Sequence, residues 1–255
     1  METSSLIDVL RAQGTLLGDA AARTELTTPV PTCPGWAVRD LLLHVGGVHR
    51  WAATVVRERC ADPIDLAQPY DIVDTLPDDD ALLDWFRDGH DGLVRTLAEA
   101  PADLDCWSFL PAPTPLAFWA RRQAHETTIH RVDAEAASGP PEAGLAPEAA
   151  ADGIDELLTC FVSGRSRRLR GKPERTMLVH ATDVDARWLL RIGADLPRVD
   201  RVGAGTTADA SVAGPAATLF PALWNRVPWD DLDTTGGTPA QLAGRWAADV
   251  HVRWS

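Results

Sequence analysis

Positive charge is scarce in this chain. Lysine and arginine number 24 against 37 acidic residues, for a formal net charge of −13. That balance argues against nucleic acid and against anionic membrane surfaces, because both recognise a basic footprint. Long apolar runs are missing as well, and no stretch approaches the length of a membrane span. The first residues, METSSLIDVLRAQG, have no basic n-region and no apolar h-region, so no secretory signal is expected. The four cysteines, Cys33, Cys60, Cys106 and Cys160, show no C-x-x-C spacing. These features together read as a cytoplasmic protein with reduced thiols. No G-x-S-x-G elbow, G-x-G-x-x-G loop or G-x-x-x-x-G-K-[ST] loop occurs, which leaves a serine nucleophile and nucleotide binding without support.

What is present is an ordinary globular composition, with 45% hydrophobic and 24% charged residues over 255 positions. That length suits one large or two modest domains. Apolar residues recur at helical spacing over residues 4–22, 37–60, 80–99, 116–137 and 147–162. Residues 62–80, acidic and bearing prolines, read as a long connection. The period changes further on. Residues 175–193 alternate as strands do, residues 208–227 read as a strand and then a short helix, and AGRWAADVHV (243–252) reads partly as a strand. The basic stretch SGRSRRLRGKP, rich in Gly, Ser and Pro, marks a boundary near residues 165–173. The expected fold is α+β: a four-helix bundle with an added helix over residues 1–165, then a small α+β domain over residues 166–255.

The stretch HETTIHR (125–131) resembles a zinc-protease signature at first sight. H-E-x-x-H needs histidines at i and i+4, and the residue four after His125 is Ile129. Glu126 and His130 are the pair spaced by four, within about 40° of each other on one helix face. His125 lies about 140° away from His130. On the second helix His44 sits among Leu41, Val48, Trp51 and Val55, an apolar face where an imidazole needs a partner. His49, rotated about 140° from His44, is expected to face outward. Two imidazoles and a carboxylate from facing helices suit zinc and its neighbours and leave an open position, which a catalytic site needs. On spacing alone the plainer reading leads: a core histidine beside a solvated i,i+4 pair.

Two segments carry a resemblance that reverses this order. PTCPGWAVRDLLLHVGGVHRW (31–51) and FWARRQAHETTIHRVDAEAA (118–137) resemble the mycothiol-dependent maleylpyruvate isomerase family of actinobacteria, one of the DinB-like metal-binding bundles. TMLVHATDVDARWLLRIG (176–193) and ATLFPALWNRVP (217–228) are similar to that family's C-terminal domain, a unit related to sterol-carrier folds. The resemblance implies a divalent metal, usually zinc, held by His44, Glu126 and His130. It implies mycothiol as thiol cofactor or cosubstrate and a small electrophile as substrate. The thiol adds to a conjugated cis alkene and leaves again in an isomerase, or stays attached in an S-transferase. Arg226 in LWNRVP is the candidate for holding an anionic substrate. Arg131 and Asp133 are candidates for supporting His130, since a metal-bound histidine usually donates its other N–H to an acceptor. Trp36 and Cys33 are expected to pack. A non-catalytic metal-binding or small-molecule-binding protein on the same scaffold is the alternative. A chain with its own second domain is expected as a monomer.

Overall fold

The second helix shows how the first half of the chain assembles. Residues Val38–Arg57 form α2, and Gly46 and Gly47 follow one another in its middle. A Cβ at Gly46 would overlap the indole of Trp85, and one at Gly47 would stand 2.5 Å from the backbone nitrogen of Tyr70. Glycine therefore lets two separate segments press against α2. One is α3, Asp79–Glu99. The other is a 3₁₀ turn at Pro69–Ile72, inside the stretch expected as a plain connection. The computed structural model describes residues 1–139 and 144–250.

Among the described residues four long helices make the first unit: α1 (Thr3–Ala21), α2, α3 and α4 (Pro115–Ser138). Their side-chain pairings fix their directions. Gly46 meets Trp85 and Arg50 meets Gly89, so α2 and α3 run parallel, as the long connection between them requires. Gly14 meets His90 and Gly18 meets Phe86, so α1 opposes α3. Trp51 packs on Trp119 while His44 lies beside His130, so α4 opposes α2. The core holds Leu17, Leu41, Leu42, Val45, Leu82 and Phe86. Burying each such side chain contributes roughly 1.5–3 kcal/mol.

Helix α4 departs from the amphipathic pattern of the others. Its buried residues include Phe118, Trp119 and Ile129 but also Arg122, Gln123, His125, Glu126, Thr127, Thr128, His130, Arg131, Asp133 and Glu135. Helices that bury every face are ordinarily apolar all round. This one is polar and buried, so its charged groups must find partners inside the protein.

The chain divides into compact units at Met1–Ala143 and Gly144–Ser255. The division falls before the basic stretch at 165–173, because α5 (Pro147–Glu156) packs on α6 (Ala216–Leu223) within the second unit. After α5 the helix widens into a π turn over Leu157–Val162. Among the described residues the second unit builds a five-stranded sheet in the order β3-β2-β1-β4-β5. The strands are β1 (Arg175–Ala181), β2 (Ala186–Ile192), β3 (Arg198–Arg201), β4 (Ala210–Gly214) and β5 (Asp233–Thr235). β1 pairs antiparallel with β2 and parallel with β4. The alternation along β1 sends Met177, Val179 and Ala181 into the core. The α+β expectation holds, with one correction near the end. Pro239–Asp249 is a helix, α7, not a strand. Thr238 and Gln241 form a reciprocal cap at its start, a helix signal that outweighs the short alternation. Leu242 and Trp246, four apart, are its buried face. Residues 251–252 of that expected strand lie outside the described residues.

Candidate metal centre

The segment before α2 is a tight loop. Val30 N–H donates to the Trp36 carbonyl at 2.9 Å, and Trp36 N–H donates to the Cys33 carbonyl at 3.0 Å. Gly35 sits at φ +89°, which favours glycine. This loop hangs Thr32, Cys33 and Trp36 beside the first turns of α2 and the last turns of α4.

His44, Glu126 and His130 converge there, all buried, with one ligand atom from each within 4.8 Å of the others. Glu126 Oε1 lies 3.3 Å from His130 Nε2 and 3.7 Å from His44 Nε2. Neither His44 Nε2 nor Glu126 Oε1 has a hydrogen-bond partner among the described residues. Leaving a buried polar atom unpaired costs about 1–3 kcal/mol, and here two such atoms point at the same place. The other oxygen, Oε2, accepts from Arg122 Nη2 at 3.0 Å. The other nitrogen of His130, Nδ1, is 2.9 Å from Asp133 Oδ2, and Asp133 Oδ1 accepts from the Thr32 hydroxyl at 2.6 Å. The Trp36 indole lies over both imidazoles, 4.9 Å from His44 and 6.2 Å from His130 between ring centres.

The electrostatics follow from these contacts. Burial alone would push the His130 imidazole down, but its hydrogen bond to Asp133 and the nearby Glu126 carboxylate outweigh it and raise the value to about 9. Burial lowers His44, and the neighbouring His130 adds to that. Burial would raise Glu126, yet its contacts with both histidines and the Arg122 charge hold it well below the ordinary carboxylate range. The metal-free cluster thus keeps an ionised carboxylate and a proton on His130. A cation binding there would displace that proton.

Of the residues singled out from the sequence, His44, Glu126 and His130 come together, and Asp133 supports His130. Arg131 instead pairs with Glu135 at 2.6 Å. Arg226 belongs to the second unit, after α6, where its Nη1 donates to the Trp224 carbonyl at 3.0 Å. His49 does not face outward. It is fully buried, with Nε2 2.9 Å from the Thr127 hydroxyl, because α2 is packed on more than one face. Cys33 offers its sulfur within 4.8 Å of His130 and Asp133, closer to the site than a packing role required. Sequence reasoning passed over Arg122 and Thr32. Arg122 stands four residues before Glu126, a readable i,i+4 pair. Thr32 carried no signal, since its partner is 101 positions away.

The profile of the mycothiol maleylpyruvate isomerase N-terminal domain matches residues 8–135, and that of the matching C-terminal domain residues 148–245. The chain belongs to the mycothiol maleylpyruvate isomerase family. Membership places it among enzymes. Solved structures of the same family share the fold. A crystal structure of the mycothiol-dependent maleylpyruvate isomerase aligns with a TM-score of 0.65 at 12% identity, covering 93% of this chain and 95% of that one. A mutant of it with a histidine replaced by alanine aligns over the same shares, also at 0.65, with 13% identity. No curated protein matches the chain at a significant level. Among the described residues no helix is long and apolar enough to cross a membrane.

Proposed function

We propose that this isomerase-family chain binds a divalent metal, with zinc the best fit, at His44, Glu126 and His130. It would use that ion to activate the thiol of mycothiol toward a small electrophile. The observation that carries the reading is the pair of buried atoms without a hydrogen bond, His44 Nε2 and Glu126 Oε1, facing His130 Nε2. Two imidazoles and one carboxylate are a donor set suited to zinc. A bound divalent ion supplies Lewis acidity that favours the thiolate form of a thiol. Everything else falls to the chain. Asp133 holds the Nδ1 proton of His130 and so orients Nε2 into the site. Arg122 occupies Glu126 Oε2 and leaves Oε1 for the ligand role. The Trp36 ring covers the imidazoles and limits water. Arg226, in the second unit, is proposed to hold an anionic group of the substrate.

Both family outcomes fit this site. Addition of the thiol to a conjugated cis alkene, rotation and elimination gives an isomerase acting on a maleylpyruvate-like substrate. Addition or displacement without elimination gives an S-transferase. With no disulfide among the described residues and a small-thiol cosubstrate, the reducing cytoplasm suits either, and the chain is proposed as a monomer.

Elemental analysis of the purified protein tests the site. One divalent ion per chain is expected, lost in His44→Ala and in His130→Ala. Full occupancy in both variants would overturn the assignment. Consumption of mycothiol with candidate electrophiles then tests turnover, where Arg226→Gln should raise KM for an anionic substrate and leave metal content unchanged.

A further inference from the structure

Away from the metal cluster, α2, α3 and the chain at the end of the 3₁₀ turn enclose a groove of about 550 Å³. Arg50, which lines it, stands six residues after His44, about 9 Å further along α2 and about 120° around it. The Arg50 guanidinium is held in place. Its Nη1 donates to the Gly46 carbonyl at 3.1 Å and its Nη2 to the Trp85 carbonyl at 2.6 Å. It also lies 3.9 Å from the centre of the Trp85 ring. These partners are all neutral. The group is half-buried, and Asp88 acts on it only from a distance. A charge taken partly out of water without an ion-pair partner is costly, and a bound anion would offset that cost. The remaining N–H groups of the guanidinium are still available to an acceptor.

Two glycines of α3 line the same groove. A Cβ at Gly89 would run into the Arg50 guanidinium, which accounts for that glycine. Gly92 stands three residues on, and nothing lies within 4 Å of where its Cβ would be. Glycine inside a helix is destabilising relative to alanine, and no protein group at Gly92 makes use of the space. Its effect is to keep the groove clear. Arg95 lines the groove too. Among the described residues it makes no hydrogen bond or ion pair, although Asp91 and Glu99 stand four residues to either side, where pairing is favoured. Asp88 and Glu99 are exposed, so water and salt screen them, and the half-buried guanidinium sets the sign of the ligand. Ala53, Ile72 and Val73 add an apolar wall. An arginine suits a carboxylate, and one already fixed loses little side-chain freedom on binding. The two acidic side chains disfavour a second negative charge. We propose that this groove is a further small-molecule site, for a monocarboxylate with a compact apolar body, gripped by Arg50 and Arg95 in the space that Gly92 clears. Its volume lies in the range of small-molecule sites, roughly 300–1,000 Å³. The proposal stands whether or not a metal binds at His44, Glu126 and His130.

Calorimetric titration of the purified full chain with hexanoate tests it, and saturable binding of one hexanoate per chain is expected. Hexylamine, with the same body and the opposite charge, should not bind. Inorganic phosphate, which lacks the apolar body, should bind about tenfold more weakly or worse. Gly92→Leu fills the cleared space, and its Cβ meets no neighbour; it should weaken hexanoate by about tenfold or more. Arg95→Gln should weaken it by about two- to fivefold, the range for an exposed ion pair. His44→Ala, which disables the metal cluster, should bind hexanoate as wild type does. Circular dichroism checks folding, and Arg95→Gln, a change at an exposed side chain, carries the test if Gly92→Leu does not fold. No hexanoate bound by wild type, wild-type affinity in the groove variants, or binding lost in His44→Ala would each overturn the groove as the site. Hexylamine bound in preference would overturn the assigned charge, and phosphate bound as tightly as hexanoate would overturn the apolar body.

Discussion

Asp133→Asn isolates one charge in the site. The Asp133 side chain is fully buried and accepts from His130 Nδ1–H at 2.9 Å and from the Thr32 hydroxyl at 2.6 Å. Asparagine has nearly the same shape. Its carbonyl oxygen can still accept from His130, and its NH₂ can donate to Thr32, because a hydroxyl can accept as well as donate. Hydrogen bonds are conserved in number while the negative charge is lost. A bond to a charged group contributes about 1.5–3 kcal/mol and a neutral one about 0.5–1.5, so the variant should lose roughly 1–2 kcal/mol. Melting should fall by about 2–8 °C for a protein of this size. Metal affinity should drop by about 10–100-fold, as for other partners of ligating histidines. Asp133→Ala strands both donors and should cost more, on the order of 3–5 kcal/mol. Competition with a chromogenic chelator measures affinity, and thermal melting measures stability. Wild-type metal affinity in both variants would refute the view that Asp133 orients His130.

Gly14→Ala should destabilise by about 1–3 kcal/mol, since the added Cβ overlaps the buried His90 ring, which is held by the Leu10 carbonyl. Gly92→Ala, with nothing within 4 Å in the same bundle, should stabilise by about 0.5–1 kcal/mol, so thermal melts moving in the same direction would contradict the packing account. For chelator-treated protein, His130 is raised from 6.5 to about 9 on folding. A raised value gives stability that is fully present below 6.5 and lost as pH rises through about 9; melting temperatures that stay flat across that window would count against the buried His130 proton.

That His44, Glu126 and His130 could share one site was legible in part because helical spacing is a strong constraint, although spacing alone favoured a core histidine beside a solvated pair and the family resemblance reversed that order. Glu126 and His130 share a face whatever surrounds them, and His44 stood out as a polar group on an apolar one. Less was legible where the surroundings decide. His49 reads as outward on a two-faced helix, but Gly46 and Gly47 let α3 and the Pro69–Ile72 turn crowd α2 from further sides. Thr32 is visible only once the loop folds back on α4. The end of the chain was misread because alternation over a few residues is a weaker signal than the Thr238–Gln241 cap. The unit boundary was placed late because the basic loop looks like a linker, while the packing of α5 on α6 leaves no trace in local composition.

Helix α4 packs chiefly on α1 and carries Glu126, His130 and Asp133, with most of its length buried and charged groups such as Arg131 and Glu135 held in pairs. Such a helix offers little room for neutral drift. A substitution on it disturbs packing, a salt bridge or the cluster of His44, Glu126 and His130, and often more than one of these. Change is therefore more readily accommodated in the loop bearing Trp36 than in α4. A saturation scan of the chain should show α4 as its least tolerant segment, despite a composition that resembles a surface helix.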